Sequence, residues 1–153
     1  MAARLGAAAL AKADEIHKAA LDNEKMSLER LRSARPLYQV AADVGATPPN
    51  QKARTAFLDG LASLQERDFK RAEQLFTEAA RADASNSEYV FYQGLALIQS
   101  GDRAAALKVL DTRLKDDPRT QVLRAALALG NSPDDGAAEL ERMLFSTRYP
   151  PEK

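Results

Sequence analysis

The fold of this chain is decided by two stretches, FLDGLASLQERDFKRA at residues 57–72 and FYQGLALIQSGDRAAA at residues 91–106, which repeat each other 34 positions apart. The identical pairs are Phe57 and Phe91, Gly60 and Gly94, Leu61 and Leu95, Ala62 and Ala96, Gln65 and Gln99, Asp68 and Asp102, and Ala72 and Ala106. A period between about 20 and 50 residues is typical of stacked supersecondary units. Because the apolar residues of both stretches recur at helical spacing, each unit is predicted to be a helical hairpin.

The first hairpin is predicted to pair a helix over residues 51–66 with a second helix over residues 68–82. The next unit repeats this plan over residues 87–115. Gly60 is expected to face the second helix where Ala72 arrives, because small side chains let two helix axes approach to about 8 Å. The repeated small residues are therefore interpreted as structural.

Polar residues at the ends of these segments agree with the predicted helices. Asp68 and Asp102 stand where helix N-caps belong, and Ser85 followed by Glu88 has the spacing of a capping box. Ser132 followed by Pro133 and Asp135 predicts the start of a further helix.

These residues resemble the tetratricopeptide repeat (TPR) family, whose motif has small residues at its eighth and twentieth positions, an apolar or aromatic residue at the twenty-fourth and proline at the thirty-second. In the unit 87–120 the matching residues are Gly94, Ala106, Leu110 and Pro118. In the unit 53–86 they are Gly60, Ala72 and Phe76, and Ala84 stands where proline is usual. The second unit therefore follows the family motif more closely than the first.

The resemblance implies an all-α fold, a TPR-like right-handed superhelix of antiparallel helical hairpins. A TPR-like domain is expected over residues 51–153, and residues 121–147, which keep only Ala128 in register, are interpreted as a degenerate capping hairpin. Residues 1–50 do not repeat and are expected to form an N-terminal helical extension.

Within that extension, Ala2–Arg32 is predicted as one long or broken helix with a thin apolar face. A short helix is predicted over Pro36–Val44, because proline is favoured in the first turn of a helix and glycine and proline follow the segment. Together these segments could form a hairpin in front of the repeats. His17, flanked by charged residues, is interpreted as a surface or boundary residue.

The composition excludes several classes of function. The 153 residues include 22 basic and 22 acidic residues, so no net field attracts nucleic acid, and no nucleic-acid partner is expected. With no cysteine and a single histidine, disulfides, thiolate metal sites and multi-histidine metal sites are excluded. The sequence contains no glycine-rich phosphate loop or nucleophile elbow. We therefore expect no catalytic residue, metal or cofactor, and no apolar run is long enough to span a membrane.

By the same family resemblance, the first helix of each hairpin lines a groove through its second, fifth, ninth, twelfth and thirteenth positions. The partner-binding residues would then be Arg54, Phe57, Leu61, Leu64, Gln65, Glu88, Phe91, Leu95, Ile98 and Gln99, a set called the stripe below. Relatives that clamp peptide carboxylates place lysine and asparagine there, so this ligand class is disfavoured. A partner helix or extended segment with apolar anchors fits an apolar groove edged by amides.

Besides an exposed, partner-binding stripe, three alternatives remain open. An uncovered stripe would form an apolar patch of several hundred Å², roughly the size that demands a partner or an internal lid. The N-terminal helix could supply that lid through Ile16, Leu21, Met26 and Leu28, or could exchange between two copies as a homodimer contact. Part of the stripe could also be core between adjacent hairpins.

The resemblance implies a non-enzymatic adaptor, scaffold or escort chaperone that binds a protein segment, within a bacterial secretion or envelope assembly. The alternative is a structural, self-associating module, or a domain of a larger membrane-linked protein, with its groove filled internally. A cytoplasmic location is expected. A periplasmic or membrane-associated location is expected instead if the chain is a piece of a longer protein.

Overall fold

The computed structural model describes residues 1–129, which fold into consecutive α-helices. They are α1 (Ala2–Leu21), α2 (Leu28–Asp43), α3 (Gln51–Gln65), α4 (Phe69–Ala82), α5 (Ser87–Ser100), α6 (Arg103–Arg113) and α7 (Pro118–Leu129). From α1 to α6, each helix packs mainly against the next one in the chain. The predicted all-α, TPR-like fold is confirmed.

The two repeated hairpins, α3–α4 and α5–α6, are held together at their glycines. A Cβ atom built on Gly60 would lie 2.6 Å from Cε1 of Phe76, and one built on Gly94 would lie 2.8 Å from Cδ2 of Leu110. Such approaches are too close for any real side chain, so the large residue at the twenty-fourth position of each repeat fills the space above its glycine. We expected Ala72 to occupy this space in the first hairpin; the Phe76 ring lies there instead.

The predicted N-caps of the second helices are confirmed. The carboxylate of Asp68 accepts the backbone N–H of Arg71 at 3.1 Å, and that of Asp102 accepts the backbone N–H of Ala105 at 3.0 Å. Each bond satisfies an amide that the first helical turn leaves without a partner.

The predicted capping box at Ser85 is wrong. Asn86 is the N-cap of α5, and its side chain accepts the backbone N–H of Glu88 at 3.1 Å. The Ser85 hydroxyl instead donates to Asp83 at 2.6 Å. The cap predicted at Ser132 lies outside the described residues.

The N-terminal extension forms an antiparallel hairpin whose second helix begins earlier than predicted. Ala2–Arg32 is broken rather than one long helix, since α1 ends at Leu21 and α2 begins at Leu28 with Ser27 as its N-cap, and the predicted start of a separate helix at Pro36 is wrong. Pro36 lies inside α2 rather than at its start. It removes one backbone hydrogen bond there.

Burial on one face of α2 opposes this loss. Leu31, Ala34, Tyr38 and Ala41 recur at helical spacing and are all at most 2% exposed. Where α1 crosses the end of α2, Gly6 lies against Val44 so closely that a Cβ on Gly6 would collide with it. Tertiary packing therefore decides the helix boundary against the local preference of proline.

The core of the described chain is one continuous apolar cluster. It includes Ile16 of α1, Tyr38 of α2, Phe57 of α3, Phe76 of α4 and Leu123 of α7. The third unit, expected from residue 121, begins as helix α7 at Pro118. The part of the expected capping hairpin beyond residue 129 lies outside the described residues. Across residues 1–129, the helices are too short or too polar to cross a bilayer.

Candidate partner-binding surface

Phe57 lies in the middle of the stripe of the first repeat and is fully buried. Its ring lies 4.8 Å from the Tyr89 ring and 5.5 Å from the Tyr92 ring, both on α5, and 5.8 Å from the Phe76 ring of the same hairpin. The imidazole of His17, on α1, meets the Phe57 ring edge-on with 6.1 Å between centroids. Phe57 is therefore enclosed by rings from three other helices.

Helix α1 lies parallel to α3 along this half of the stripe. Arg54 donates to Asp14 at 2.6 Å near the start of α3. At the other end of α3, the Gln65 amide donates to the backbone carbonyl of Met26 at 2.7 Å. Contacts from Asp14 to Met26 thus follow α3 from its first turn to its last residue.

Three tyrosine hydroxyls bind side chains of α1 or of the loop that follows it. Tyr38 of α2 donates to Asp14 at 2.9 Å, on the same oxygen that Arg54 contacts. The hydroxyl of Tyr89 lies 2.8 Å from Nε2 of His17, and Tyr92 donates to Asn23 at 2.8 Å. Tyrosines from α2 and α5 therefore hold α1 against α3.

The interpretation of His17 as a surface or boundary residue is wrong, since only 8% of the residue is exposed. The pKa of His17 is lowered to about 4, chiefly by burial and then by the nearby charge of Arg54, while the charges of Asp14 and Asp83 oppose the shift. Burial also raises the pKa of Tyr89 to about 12. At neutral pH the pair is therefore an uncharged imidazole bonded to an uncharged phenol.

The stripe of the second repeat is covered by a residue of α7 instead of by α1. Phe91 is 2% exposed, and the guanidinium of Arg119, in α7, lies 4.2 Å above its ring. The same guanidinium binds Glu88 of the stripe at 2.7 Å and Asp117 at 2.8 Å. A cation over an aromatic face is favourable, and more so where water is excluded.

The ten stripe residues differ in how much of each remains accessible. Phe57, Phe91, Leu95 and Ile98 are buried; Arg54, Leu61, Leu64, Glu88 and Gln99 are half-buried; Gln65 is exposed. Of the four residues expected to supply a lid, Ile16 and Met26 are buried, and Leu21 and Leu28 pack partly buried against the core. The two phenylalanines thus lie in the core, and Leu61 and Leu64 are the apolar stripe residues that remain partly accessible.

Sequence reasoning missed the residues that cover the stripe. Tyr89 and Tyr92 have no counterpart in the first repeat, where Thr55 and Leu58 stand at the same positions, so the period gives no signal for them. Asp14 lies in the segment that does not repeat, and Arg119 has Ser85 as its counterpart in the first repeat. For His17, the spacing of the buried residues Ala13, Ile16 and Ala20 was the available signal, since it places His17 beside an apolar face of α1.

Asp, Glu and His side chains do not gather into groups of three or more that could hold a metal ion anywhere in the described part of the chain. A sequence profile described as "Tetratricopeptide repeat" matches residues 63–130. Searches of curated proteins and of solved structures found no significant match. This repeat is generally a non-enzymatic protein-interaction module. The segment 63–130, which runs from the last turn of α3 through α7, therefore belongs to the tetratricopeptide repeat family.

Proposed function

We propose that the chain is a non-enzymatic adaptor or escort chaperone that binds a segment of a partner protein along the stripe when α1 moves away from it. The protein-interaction role follows from the repeat family. The stripe supports this assignment because some of its contacts with residues 1–27 are polar pairs whose acceptor a partner segment can supply instead. Arg54 with Asp14 and Gln65 with the carbonyl of Met26 are two such pairs.

The half-buried leucines support the same surface as the binding site. Leu61 and Leu64 lie on α3 between the two polar pairs, and both are packed against the core while remaining partly accessible. A partner side chain that covers them removes further apolar area from water. This burial stabilises a complex by about 25 cal/mol for each Å² of apolar surface removed.

A role in a bacterial secretion or envelope assembly is part of this proposal. It rests on analogy with short TPR proteins that act there as subunit chaperones or docking parts, and on an alanine-rich composition that is compatible with a bacterial source.

Site-specific photo-crosslinking tests the proposed surface. A photo-reactive residue at position 61 of the full chain is expected to capture a partner protein from a bacterial lysate, with a higher yield in the Asp14→Lys variant, where the introduced lysine repels Arg54. The matched control carries the same photo-reactive residue in place of Lys70, which is exposed on α4. Adducts with residues 1–27 of the same chain alone, in both variants, would contradict the proposal.

Once a partner is captured, Leu64→Ala is expected to weaken its binding about tenfold, because an interface anchor contributes more than about 1 kcal/mol. Lys70→Ala should leave the affinity unchanged. Titration of the labelled chain with the partner measures both. Equal losses for the two variants would argue against an apolar anchor on α3.

The burial of Phe57 and Phe91 favours a second candidate, a structural module with its groove permanently filled. Such a module captures no partner at position 61, and its particle size in light scattering grows with concentration if it self-associates. A monomer of constant size that captures a partner favours the adaptor.

A further inference from the structure

The contacts of α1 also specify what kind of segment the stripe accepts, an inference that rests on the proposed function. We propose that α1 acts as an internal ligand, and that the partner is an α-helix carrying the same features. These are a carboxylate at the position of Asp14, a hydrogen-bonding ring or amide three residues later, and alanine-sized residues at the positions of Ala13 and Ala20.

The carboxylate is specified by two donors that converge on one point. Nη1 of Arg54 and the hydroxyl of Tyr38 lie 2.6 Å and 2.9 Å from the same oxygen of Asp14. The donors come from α3 and α2, so they remain in place when α1 leaves. A guanidinium beside a phenol selects an anion, because hydrogen bonds to ionised groups are shorter and stronger than neutral ones.

The residue three positions later is specified by α5. On α1 that residue is His17, whose Nε2 lies 2.8 Å from the Tyr89 hydroxyl and whose ring meets Phe57 edge-on. Residues three apart lie on the same face of a helix, so Asp14 and His17 contact α3 and α5 together. The carboxylate and the ring thus fix the rotation of the bound helix about its axis.

The close fit of α1 specifies the size of the flanking residues. Ala13 is fully buried, Ala20 is 3% exposed, and both are part of the apolar cluster that contains Phe57. Larger side chains at these two buried positions would not fit without moving the bound helix, and the polar contacts would lengthen. The partner helix therefore needs small residues one position before its carboxylate and six positions after it.

Helix α2 is held on the repeats independently of α1. Arg32 pairs with Glu66, and Arg35 pairs with Asp59, both across the contact between α2 and α3. The loop 22–27 connects α1 to α2, and its Asn23 adopts a left-handed backbone conformation with φ of 59°. Departure of α1 would leave the packing of α2 on α3, of α3 on α4 and of α4 on α5 in place.

A synthetic peptide of residues 2–25, labelled with a fluorophore, tests the site in trans against the full-length chain. Asp14→Lys in the chain places two cations together and weakens the hold of its own α1. Fluorescence anisotropy is expected to show at least about tenfold tighter peptide binding to this variant than to the unmodified chain, where the tethered α1 competes at high effective concentration. Equal affinity for both chains, or no binding to the variant, would overturn the proposal.

Two matched variants test whether the gain in peptide affinity comes from the Asp14 contact or from added positive charge alone. Asp22→Lys makes the same change in charge on the exposed residue that follows α1 and should leave peptide affinity at the level of the unmodified chain. Adding Arg54→Glu to Asp14→Lys restores an attractive pair in reversed order for the tethered α1 and repels Asp14 of the peptide, so peptide binding falls again. A gain with Asp22→Lys, or no loss with the double variant, would also overturn the proposal.

Circular dichroism establishes that each variant is folded, and Asp14→Asn, which removes the charge without adding another, replaces Asp14→Lys if the latter unfolds. The test is independent of the proposed function. Peptide binding without any lysate partner at position 61 would uphold the helix-specific site and contradict the adaptor. A captured partner together with a peptide that does not bind would uphold the adaptor and contradict the helix-specific site.

Discussion

The two repeats carry the same phenylalanine at the fifth position and opposite charges at the second, and the structure covers them differently. In the first repeat Arg54 binds Asp14 and Phe57 meets the neutral ring of His17, both from α1. In the second repeat Glu88 binds Arg119, and the same arginine lies over Phe91. The stripe is thus covered by a carboxylate and a neutral ring in the first repeat and by a cation in the second. The residue at the second position decides which charge its cover must carry.

The largest expected effect breaks the enclosed aromatic cluster. Phe57→Ala should lower the free energy of unfolding by about 3–5 kcal/mol, because it leaves a cavity among rings from three other helices. Phe91→Ala should cost about 3 kcal/mol, since the flexible Arg119 side chain can move over the gap. Urea denaturation of both variants measures the difference. A larger loss for Phe91→Ala would reverse the comparison between the two covers.

The second effect is a dependence on pH that belongs to the first repeat. His17 has a pKa of about 4 when folded and 6.5 as a free residue. The unfolded chain therefore binds the proton more readily between these values, and stability falls as the pH is lowered from about 6.5 to 4. This group accounts for a loss of about 2–3 kcal/mol, with none above pH 6.5.

His17→Gln keeps a hydrogen-bonding group beside Tyr89 but does not titrate. The difference between the unfolding free energies of this variant and the unmodified chain should therefore change by about 2–3 kcal/mol across the same interval. Denaturation curves at pH 7, 5.5 and 4 measure it. A constant difference would mean that His17 is already accessible to protons in the folded chain.

A smaller effect compares the two glycines. Gly60→Ala should lower the free energy of unfolding by about 1–2 kcal/mol, because its methyl group meets the Phe76 ring, which is packed against Phe57 and Tyr92. Gly94→Ala should cost less, since its methyl group meets the branched end of Leu110. Thermal unfolding of the pair measures both. Equal costs would indicate that the two hairpins relax equally well.

The smallest effect concerns the contacts that join consecutive hairpins. Arg32→Ala removes the ion pair with Glu66, and Thr77→Ala removes the 3.1 Å hydrogen bond from Gln93 that joins α4 to α5. Because the Arg32 side chain is 58% exposed, its variant should lose at most about 1 kcal/mol. Urea denaturation with and without 1 M salt measures this, and a larger loss that salt does not reduce would show that the pair is more than a surface contact.

The features that could be predicted from the sequence are those that recur or that act locally. The 34-residue period identified two hairpins and their glycines, and the caps at Asp68 and Asp102 depend only on the adjacent turn. The start of α2 could not be predicted, because burial of Leu31 and Tyr38 outweighs the preference of Pro36 for a first turn. The local pattern around Pro36 contains no information about that burial.

The positions of the candidate site could be predicted from the sequence, but the residues that cover them could not. The family resemblance gave the stripe, whereas its covers come from α1 and from Arg119 at the start of α7, whose counterpart in the first repeat is Ser85. His17 illustrates the limit, since its charged neighbours in sequence point to the surface while its contacts are Phe57 and Tyr89, 40 and 72 residues away. Contacts at such separation arise from the stacking of hairpins.

The hydroxyl contacts of α1 give this chain an optical property of its own. It has no tryptophan and four tyrosines, so its intrinsic ultraviolet emission comes from tyrosine alone. Tyr38 bonds to Asp14 and Tyr89 to His17, both on α1, and a phenol bonded to a carboxylate or an imidazole emits weakly. Departure of α1 should therefore brighten the unlabelled protein, and stopped-flow emission can time that departure without any added dye.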